Sequence, residues 1–155
     1  MSSQEPKMAG GCQCGAVRYA LFAAPESTVC HCRMCQKAVG GPFAAFCKVP
    51  SVDFAWTRGQ PASFNSSSVA RRHFCAACGT PLTFQYLDGD AIEVTTGSLD
   101  QPAGLPPTKN YGVEARLPWI DLLLAGRLPD TPTSESSSAA KVIVNHQHPD
   151  HATPA

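Results

Sequence analysis

Hydrophobic and polar residues alternate over several short segments of this chain, and turn residues separate one segment from the next. Alternation with a period of two places successive side chains on opposite faces of a strand. The pattern predicts four strands, over residues 16–22, 43–49, 82–86 and 92–96. The last two flank Asp88-Gly-Asp90, which is typical of a hairpin turn.

Helical periodicity is weak throughout the chain. The candidates are one or two turns over Arg33–Val39 and over Pro118–Leu124. Short strands with frequent turns, without regularly alternating helices, are typical of β folds. We therefore predict a mainly β fold with few short helices.

The hydrophobic pattern divides the chain into three parts. Residues 1–9 are predicted to form a flexible leader, and residues 10–128 the folded domain. Beyond them the composition changes to Ser, Thr and Pro, which cannot build a core, so residues 129–155 are predicted to be a flexible tail. Residues 141–144 could add a short edge strand to the domain. We interpret the three histidines of the tail as exposed polar residues rather than metal ligands: His146, His148 and His151.

Composition and charge argue against some classes of function. Twelve Lys+Arg balance twelve Asp+Glu, so no long-range field attracts nucleic acid or an acidic membrane surface, and we expect neither as a partner. No stretch approaches the roughly 18 apolar residues that a membrane span needs. The N-terminal residues contain no apolar run after a basic start, so we expect no signal peptide and a cytoplasmic location. Cysteines in that compartment stay reduced, and eight of them favour metal binding over disulfides.

Two of the three cysteine clusters together offer four thiolates. Cys12-Gln-Cys14 places two sulfurs on the same side of an extended segment, and Cys75-Ala-Ala-Cys78 followed by glycine has the spacing of a zinc knuckle. Four thiolates are the ligand number of a tetrahedral structural zinc, so these four cysteines are predicted to hold one. The ion would close the long segment between the two pairs into a loop and so contribute to folding stability.

The third cluster consists of Cys30, Cys32 and Cys35, and its ligand number leaves two interpretations open. If Cys47 is the fourth ligand, this site is also structural and the protein is a non-enzymatic interaction module. If Cys47 is instead buried in the strand over 43–49, as its apolar neighbours favour, the zinc has three protein ligands and one open position. Catalytic zinc sites have that open position.

An open three-thiolate site favours a particular chemistry. Its net negative charge makes the zinc a weak Lewis acid, but a fourth sulfur can complete the shell. A bound exogenous thiolate can then add to a carbonyl carbon, or the reverse carbon–sulfur cleavage can occur. His31 is a candidate proton shuttle, although a surface position or a contact with the metal ligands explains it as well. Arg33 and Lys37 are candidates for binding a substrate carboxylate, with solvated charge as the alternative.

Four motifs in a fixed order include these cysteines: Gly-Cys-Gln-Cys-Gly at 11–15, Cys-His-Cys-Arg-Met-Cys-Gln-Lys at 30–37, Arg-His-Phe-Cys-Ala-Ala-Cys-Gly-Thr at 72–80, and Gly-Ser-Leu-Asp at 97–100. Their order and spacing resemble the glutathione-dependent formaldehyde-activating enzyme family, which also includes centromere protein V. The resemblance extends from about Gly10 to Trp119.

The resemblance implies an Mss4-like fold, with small β-sheets around two zinc sites. It assigns Cys12, Cys14, Cys75 and Cys78 to the structural zinc, and Cys30, Cys32 and Cys35 to the catalytic zinc. The implied activity is condensation of glutathione with formaldehyde to S-hydroxymethylglutathione, which is classed as a carbon–sulfur lyase reaction. Small thiols and small aldehydes are thus the expected partners. A non-enzymatic zinc-stabilised module and redox sensing by the exposed cluster are the alternatives.

Overall fold

The computed structural model describes residues 4–132, 142 and 144–155, and within them the chain forms ten strands and two α-helices. The strands are β1 Met8–Gly11, β2 Arg18–Leu21, β3 Glu26–Cys30, β4 Ala44–Pro50, β5 Phe54–Arg58, β6 Ala62–Asn65, β7 Ala70–Phe74, β8 Pro81–Tyr86, β9 Ala91–Thr95 and β10 Lys109–Tyr111. The helices are α1 Arg33–Val39 and α2 Ile120–Leu124, and short 3-10 turns cover residues 51–53, 96–98, 102–104 and 113–115.

The strands form two sheets. The smaller is antiparallel, in the order β1-β2-β5, and the larger has the order β10-β3-β4-β9-β8-β7-β6. Only the edge pair β10 and β3 is parallel among the described strands. The main core joins buried side chains from both sheets, including Tyr19 and Leu21 of β2, Cys47 and Val49 of β4, and Val94 of β9. The prediction of a mainly β fold is confirmed.

The opposite face of the large sheet holds a row of charged and aromatic side chains. Register pairs Glu26 with Lys48, Lys48 with Glu93, Glu93 with Phe84, and Phe84 with Arg72, from β3 across to β7. Side chains that pair in this way lie on the same face of a sheet. This face is therefore polar and aromatic, where the core face of the same strands is apolar.

The segment after β9 is tied to β2 by buried polar contacts. Asp100 accepts two hydrogen bonds from the Arg18 guanidinium, at 2.8 and 2.5 Å, with both side chains largely buried. Ser98 Oγ lies 2.7 Å from the hydroxyl of Tyr19, and Leu99 packs in the main core. The 97–100 motif thus joins the two sheets rather than contributing to a cysteine cluster.

Residues near both ends of the chain contact the rest of the fold. The strand β1 begins at Met8, inside the segment predicted to be a leader, and pairs with β2. In the tail, the N–H of His148 donates to the carbonyl of Gln13 at 2.7 Å, and Arg58 donates to Thr153 Oγ1 at 3.2 Å. The edge strand expected over 141–144 falls largely outside the described residues. No helix in the described part of the chain is long and apolar enough to cross a bilayer.

Candidate metal centres

The first cluster brings together four sulfur atoms that all lie within 4.8 Å of one another, those of Cys12, Cys14, Cys75 and Cys78. Each pair sits in a tight turn closed by a glycine in the left-handed region. Gly15, with φ of 78°, donates its N–H to the carbonyl of Cys12, and Gly79, also with φ of 78°, donates to that of Cys75. Positive φ is the conformation that glycine adopts at no steric cost, so these glycines permit both turns.

Thr80 connects the two turns of this cluster. Its hydroxyl accepts a hydrogen bond from the N–H of Gln13 at 3.0 Å and lies 3.2 Å from the sulfur of Cys78. Burial opposes ionisation of Cys78, but hydrogen bonds from the hydroxyl and N–H of Thr80, together with those from Cys14, outweigh it and lower the pKa of this thiol to about 6. Although the N–H of Ala16 favours the thiolate of Cys14, burial and the neighbouring sulfurs raise the pKa of Cys14 to about 12.

The second cluster lies where β3 meets α1. Cys30 is the last residue of β3, Cys32 is the N-cap of α1, and Cys35 lies in the first turn of that helix. The sulfur of Cys32 accepts the N–H of Cys35 at 3.4 Å, as a capping side chain does. The three sulfurs lie within 4.8 Å of one another. The local strand-to-helix transition therefore assembles the whole cluster.

The pKa values of the second cluster indicate what kind of ion it can bind. Burial, together with the neighbouring sulfurs, raises the pKa of Cys30 to about 12, and burial also raises the pKa of Cys35. Burial opposes ionisation of Cys32 as well, but hydrogen bonds from Cys35 and the other thiols lower its pKa overall. Three thiolates this close repel one another unless a cation lies between them. A soft donor set of three or four sulfurs fits zinc, and both clusters meet that requirement.

A buried glutamine holds α1 in place behind the second cluster. Gln36 donates its side-chain amide to the carbonyl of His31 at 2.6 Å and to that of Ala115 at 3.0 Å. Its amide oxygen accepts from Arg33 at 2.6 Å. Because Gln36 is one residue beyond Cys35, these bonds also fix the position of the cluster.

Two further candidates for this site, His31 and Cys47, do not join the three sulfurs. His31 is 3% exposed, and its Nε2 lies 3.1 Å from Oδ1 of Asn110, a residue paired with Val29 on the face opposite Cys30. Cys47 is fully buried in the main core, 3.3 Å from the hydroxyl of Thr96. It pairs with Ser27, so it also faces away from Cys30. The group of three sulfurs does not include it, although all eight cysteines are described.

A cavity of about 650 Å³ opens beside the second cluster. All three cysteines line it, and so does the row of charged and aromatic side chains on this face of the large sheet. The rest of its wall is largely apolar: Met34, Phe46, Val69, Tyr86 and Tyr111. His31 is absent from this lining, so its side chain does not face the cavity.

A neighbouring cavity of about 730 Å³ contains the two basic residues that the sequence singled out, Arg33 and Lys37. The two cavities share Met34, Phe46 and Arg72. Sequence reasoning gave Arg72 no role. Its position three residues before the Cys75 knuckle, on the strand that leads into it, was the available signal.

Comparisons with known proteins bear on these clusters. The sequence model of the family described as glutathione-dependent formaldehyde-activating enzyme matches residues 7–114. The chain belongs to this family. That range contains both cysteine clusters and all ten strands that the structure describes, so the family assignment covers the whole site.

Two individual proteins are also similar to this chain. A protein of Schizosaccharomyces pombe, named as an uncharacterized lyase, is 39% identical over 87 residues, which are 54% of this chain and 61% of that protein. The chain thus spans less than two thirds of that relative. A crystal structure of a Rhodobacter sphaeroides protein shares the fold, with a TM-score of 0.52 at 24% identity, covering 66% of this chain and 99% of the other.

Proposed function

We propose that this protein is a zinc-dependent enzyme of the carbon–sulfur lyase type, which forms or cleaves an adduct between a thiol and a small aldehyde. The observation that carries the proposal is the cluster of Cys30, Cys32 and Cys35, which has three thiol sulfurs, no fourth cysteine among the described residues, and a cavity beside it. Three ligands with access for another molecule are the arrangement of catalytic rather than structural zinc.

The two clusters have different proposed roles. We propose two zinc ions per chain, a structural one held by Cys12, Cys14, Cys75 and Cys78 and a catalytic one held by Cys30, Cys32 and Cys35. At the second site, zinc supplies a position that binds a thiolate sulfur near neutral pH. The cysteines would hold the ion, and the apolar side chains of Met34 and Phe46 line the cavity beside it.

The reaction is an addition without a change in redox state. The substrate sulfur forms a bond to the carbonyl carbon of the aldehyde, and the thiol proton ends on the carbonyl oxygen; cleavage is the reverse. Glutathione and formaldehyde are the proposed substrates, because the description of the family names them. A one-carbon aldehyde fills little of a 650 Å³ cavity, so most of that volume is left for the thiol.

For His31 we propose a supporting role in place of proton transfer. Its bond to Asn110 links β10 to the end of β3, next to Cys30 and Cys32. For location we propose the cytoplasm. Seven of the eight cysteines lie in clusters that could hold a metal, and cysteines used in this way are typical of a reducing compartment.

The decisive experiment measures exchange between glutathione and ¹³C-formaldehyde by NMR with the zinc-loaded protein. We expect the protein to accelerate exchange with S-hydroxymethylglutathione, and Cys32→Ser to remove the acceleration while one zinc stays bound. Cys47→Ala is the matched control, because its sulfur lies in the core outside the cluster, and it should keep both zinc ions and the activity.

Two results would contradict the proposal. One is a wild-type protein with two zinc ions that leaves the exchange rate unchanged. The other is loss of the second zinc in Cys47→Ala, which would support the non-enzymatic module with four protein ligands at both sites.

A further inference from the structure

Arg72 is the basic residue that contacts the second cluster. Its Nη2 donates a hydrogen bond to the sulfur of Cys35 at 3.4 Å. Its guanidinium carbon lies 4.8 Å from the ring centroid of Phe84, the residue with which it pairs across β7 and β8. The aromatic ring therefore holds the guanidinium in place beside the sulfur, with a cation–π attraction in addition to packing.

The charge of Arg72 is only partly offset by the protein around it, because Glu93 lies near enough for the two charges to interact. Among the residues that the structure describes, Arg72 forms no ion pair with a carboxylate. Its Nε is buried and has no hydrogen-bond partner among them. Glu93 belongs to the same row of side chains, but Phe84 lies between the two in the register. Arg72 also lines both cavities, so its positive charge acts at their junction.

An electrostatic problem at the second cluster explains what this charge can do. Three thiolates around a divalent ion leave the site with a net negative charge, and a fourth thiolate would double it. In a partly buried site such a charge is costly, because little solvent screens it. A guanidinium hydrogen bond to one ligand sulfur withdraws charge from the site, and hydrogen bonds of this charged kind are stronger than neutral ones.

We infer that Arg72 is a positioning residue that acts through Cys35: it offsets the charge of the three thiolates and thereby allows the site to bind a fourth, anionic sulfur. The inference rests on the proposed function, because it assumes a metal at this cluster and a thiol as its ligand.

The test uses cobalt-substituted protein titrated with 2-mercaptoethanol, a thiol without carboxylates, and followed by difference absorption spectra. We expect Arg72→Met to weaken thiol binding by roughly tenfold to a hundredfold, the range for loss of one hydrogen bond to a charged group. Arg72→Lys, which keeps the charge, should recover part of the affinity. Before thiol is added, the sulfur-to-cobalt band of Arg72→Met should lie at lower energy, because the Cys35 sulfur has lost a donor.

The matched control is Arg71→Met. Arg71 is the neighbouring residue on β7, is exposed, and bonds to Asn65 at 3.2 Å, away from the cluster. Arg71→Met should leave the thiol affinity and the sulfur-to-cobalt band unchanged. Cobalt content, measured for each variant, separates a loss of thiol binding from a loss of metal.

The outcomes distinguish this inference from the proposed function. If Arg72→Met binds 2-mercaptoethanol as the wild type does, the inference is overturned. It is also overturned if only glutathione binding weakens, because Arg72 would then contact a substrate carboxylate instead of acting through Cys35. If the wild type binds 2-mercaptoethanol with the expected Arg72 dependence but never accelerates exchange with formaldehyde, the proposed function fails and the inference stands. If the wild type binds no thiol, both fail.

Discussion

Cys32 shows how one residue can serve the fold and the site together. Its sulfur caps α1 by accepting the N–H of Cys35, and the same sulfur belongs to the second cluster. Serine caps helices well, so Cys32→Ser removes a soft ligand and leaves the cap. This substitution therefore tests the metal site with little disturbance of the helix.

Glu93 is a second residue whose surroundings determine its behaviour. Burial against the cavity wall raises the pKa of its carboxyl, and the nearby charges of Lys48 and Arg72 oppose this only in part. A group whose pKa is higher in the folded than in the unfolded state binds its proton more tightly when folded. Its stabilising contribution is complete below the unfolded pKa and is lost as the pH rises through the folded pKa.

We therefore expect Glu93→Gln to be more thermally stable than the wild type at pH 7 to 8, with a smaller difference at pH 5. Thermal unfolding of the zinc-loaded proteins across this pH range measures the difference in stability. Glu26→Gln is the control, because Lys109 lowers the pKa of the exposed Glu26. Its effect on thermal stability should have the opposite sign, so loss of this carboxylate should not stabilise the protein at pH 7 to 8. A gain in stability for Glu93→Gln that is independent of pH would show that the charge is not its cause.

At the scale of elements, α1 is only seven residues long and depends on contacts rather than on intrinsic helix stability. A basic residue lies in its last turn, and Gly40 ends it in the left-handed conformation, with an N–H bond to the carbonyl of Gln36. The amide of Gln36 joins the helix to the carbonyls of His31 and Ala115. Without Gln36, the carbonyls of His31 and Ala115 would lose this hydrogen-bond donor.

Gln36→Met should accordingly lower the free energy of unfolding by about 1–3 kcal/mol, because it removes a donor from buried carbonyls at similar side-chain volume. Urea denaturation measures the change. Lys37→Met, at the adjacent exposed position, should stay within about 0.5 kcal/mol of the wild type. An equal loss in both variants would contradict an anchoring role for Gln36.

Two of the strands that sequence patterning missed, β3 and β7, share a physical cause. β7 reads Ala-Arg-Arg-His-Phe, and β3 reads Glu-Ser-Thr-Val-Cys, so neither shows alternation of apolar and polar residues. One face of each strand lines a cavity and therefore carries charged or polar side chains. The four strands that were predicted show clearer alternation, and α1 follows its predicted range.

At the scale of the whole molecule, the first cluster joins distant parts of the chain. Cys12 and Cys14 follow β1 of the small sheet, and Cys75 and Cys78 lie between β7 and β8 of the large one. A metal there closes most of the domain into a loop, and the free energy of binding becomes free energy of folding. The second cluster lies within six residues and closes no such loop.

The two clusters should thus differ when a single ligand is removed. Cys14→Ser is expected to lose one zinc and at least about 3 kcal/mol of stability, a drop in Tm of roughly 10 °C or more. Cys32→Ser should also lose one zinc but with a clearly smaller drop in Tm. Zinc content and calorimetry on both variants give the comparison, and equal Tm values would mean that the first cluster does not hold the sheets together.

The sequence by itself determined the family, the mainly β fold class and the membership of the two clusters. Cysteine spacing carries that information within each motif, because ligands two or three residues apart meet through local geometry. That the two distant pairs belong to one site followed from the four ligands that a structural zinc takes. Only the tertiary structure placed Cys47 on the opposite face of β4 and turned His31 away from the cavity. It alone brought Arg72 of β7 to the sulfur of Cys35. Those positions depend on the register of a seven-stranded sheet, which long-range strand pairing decides and no local pattern encodes.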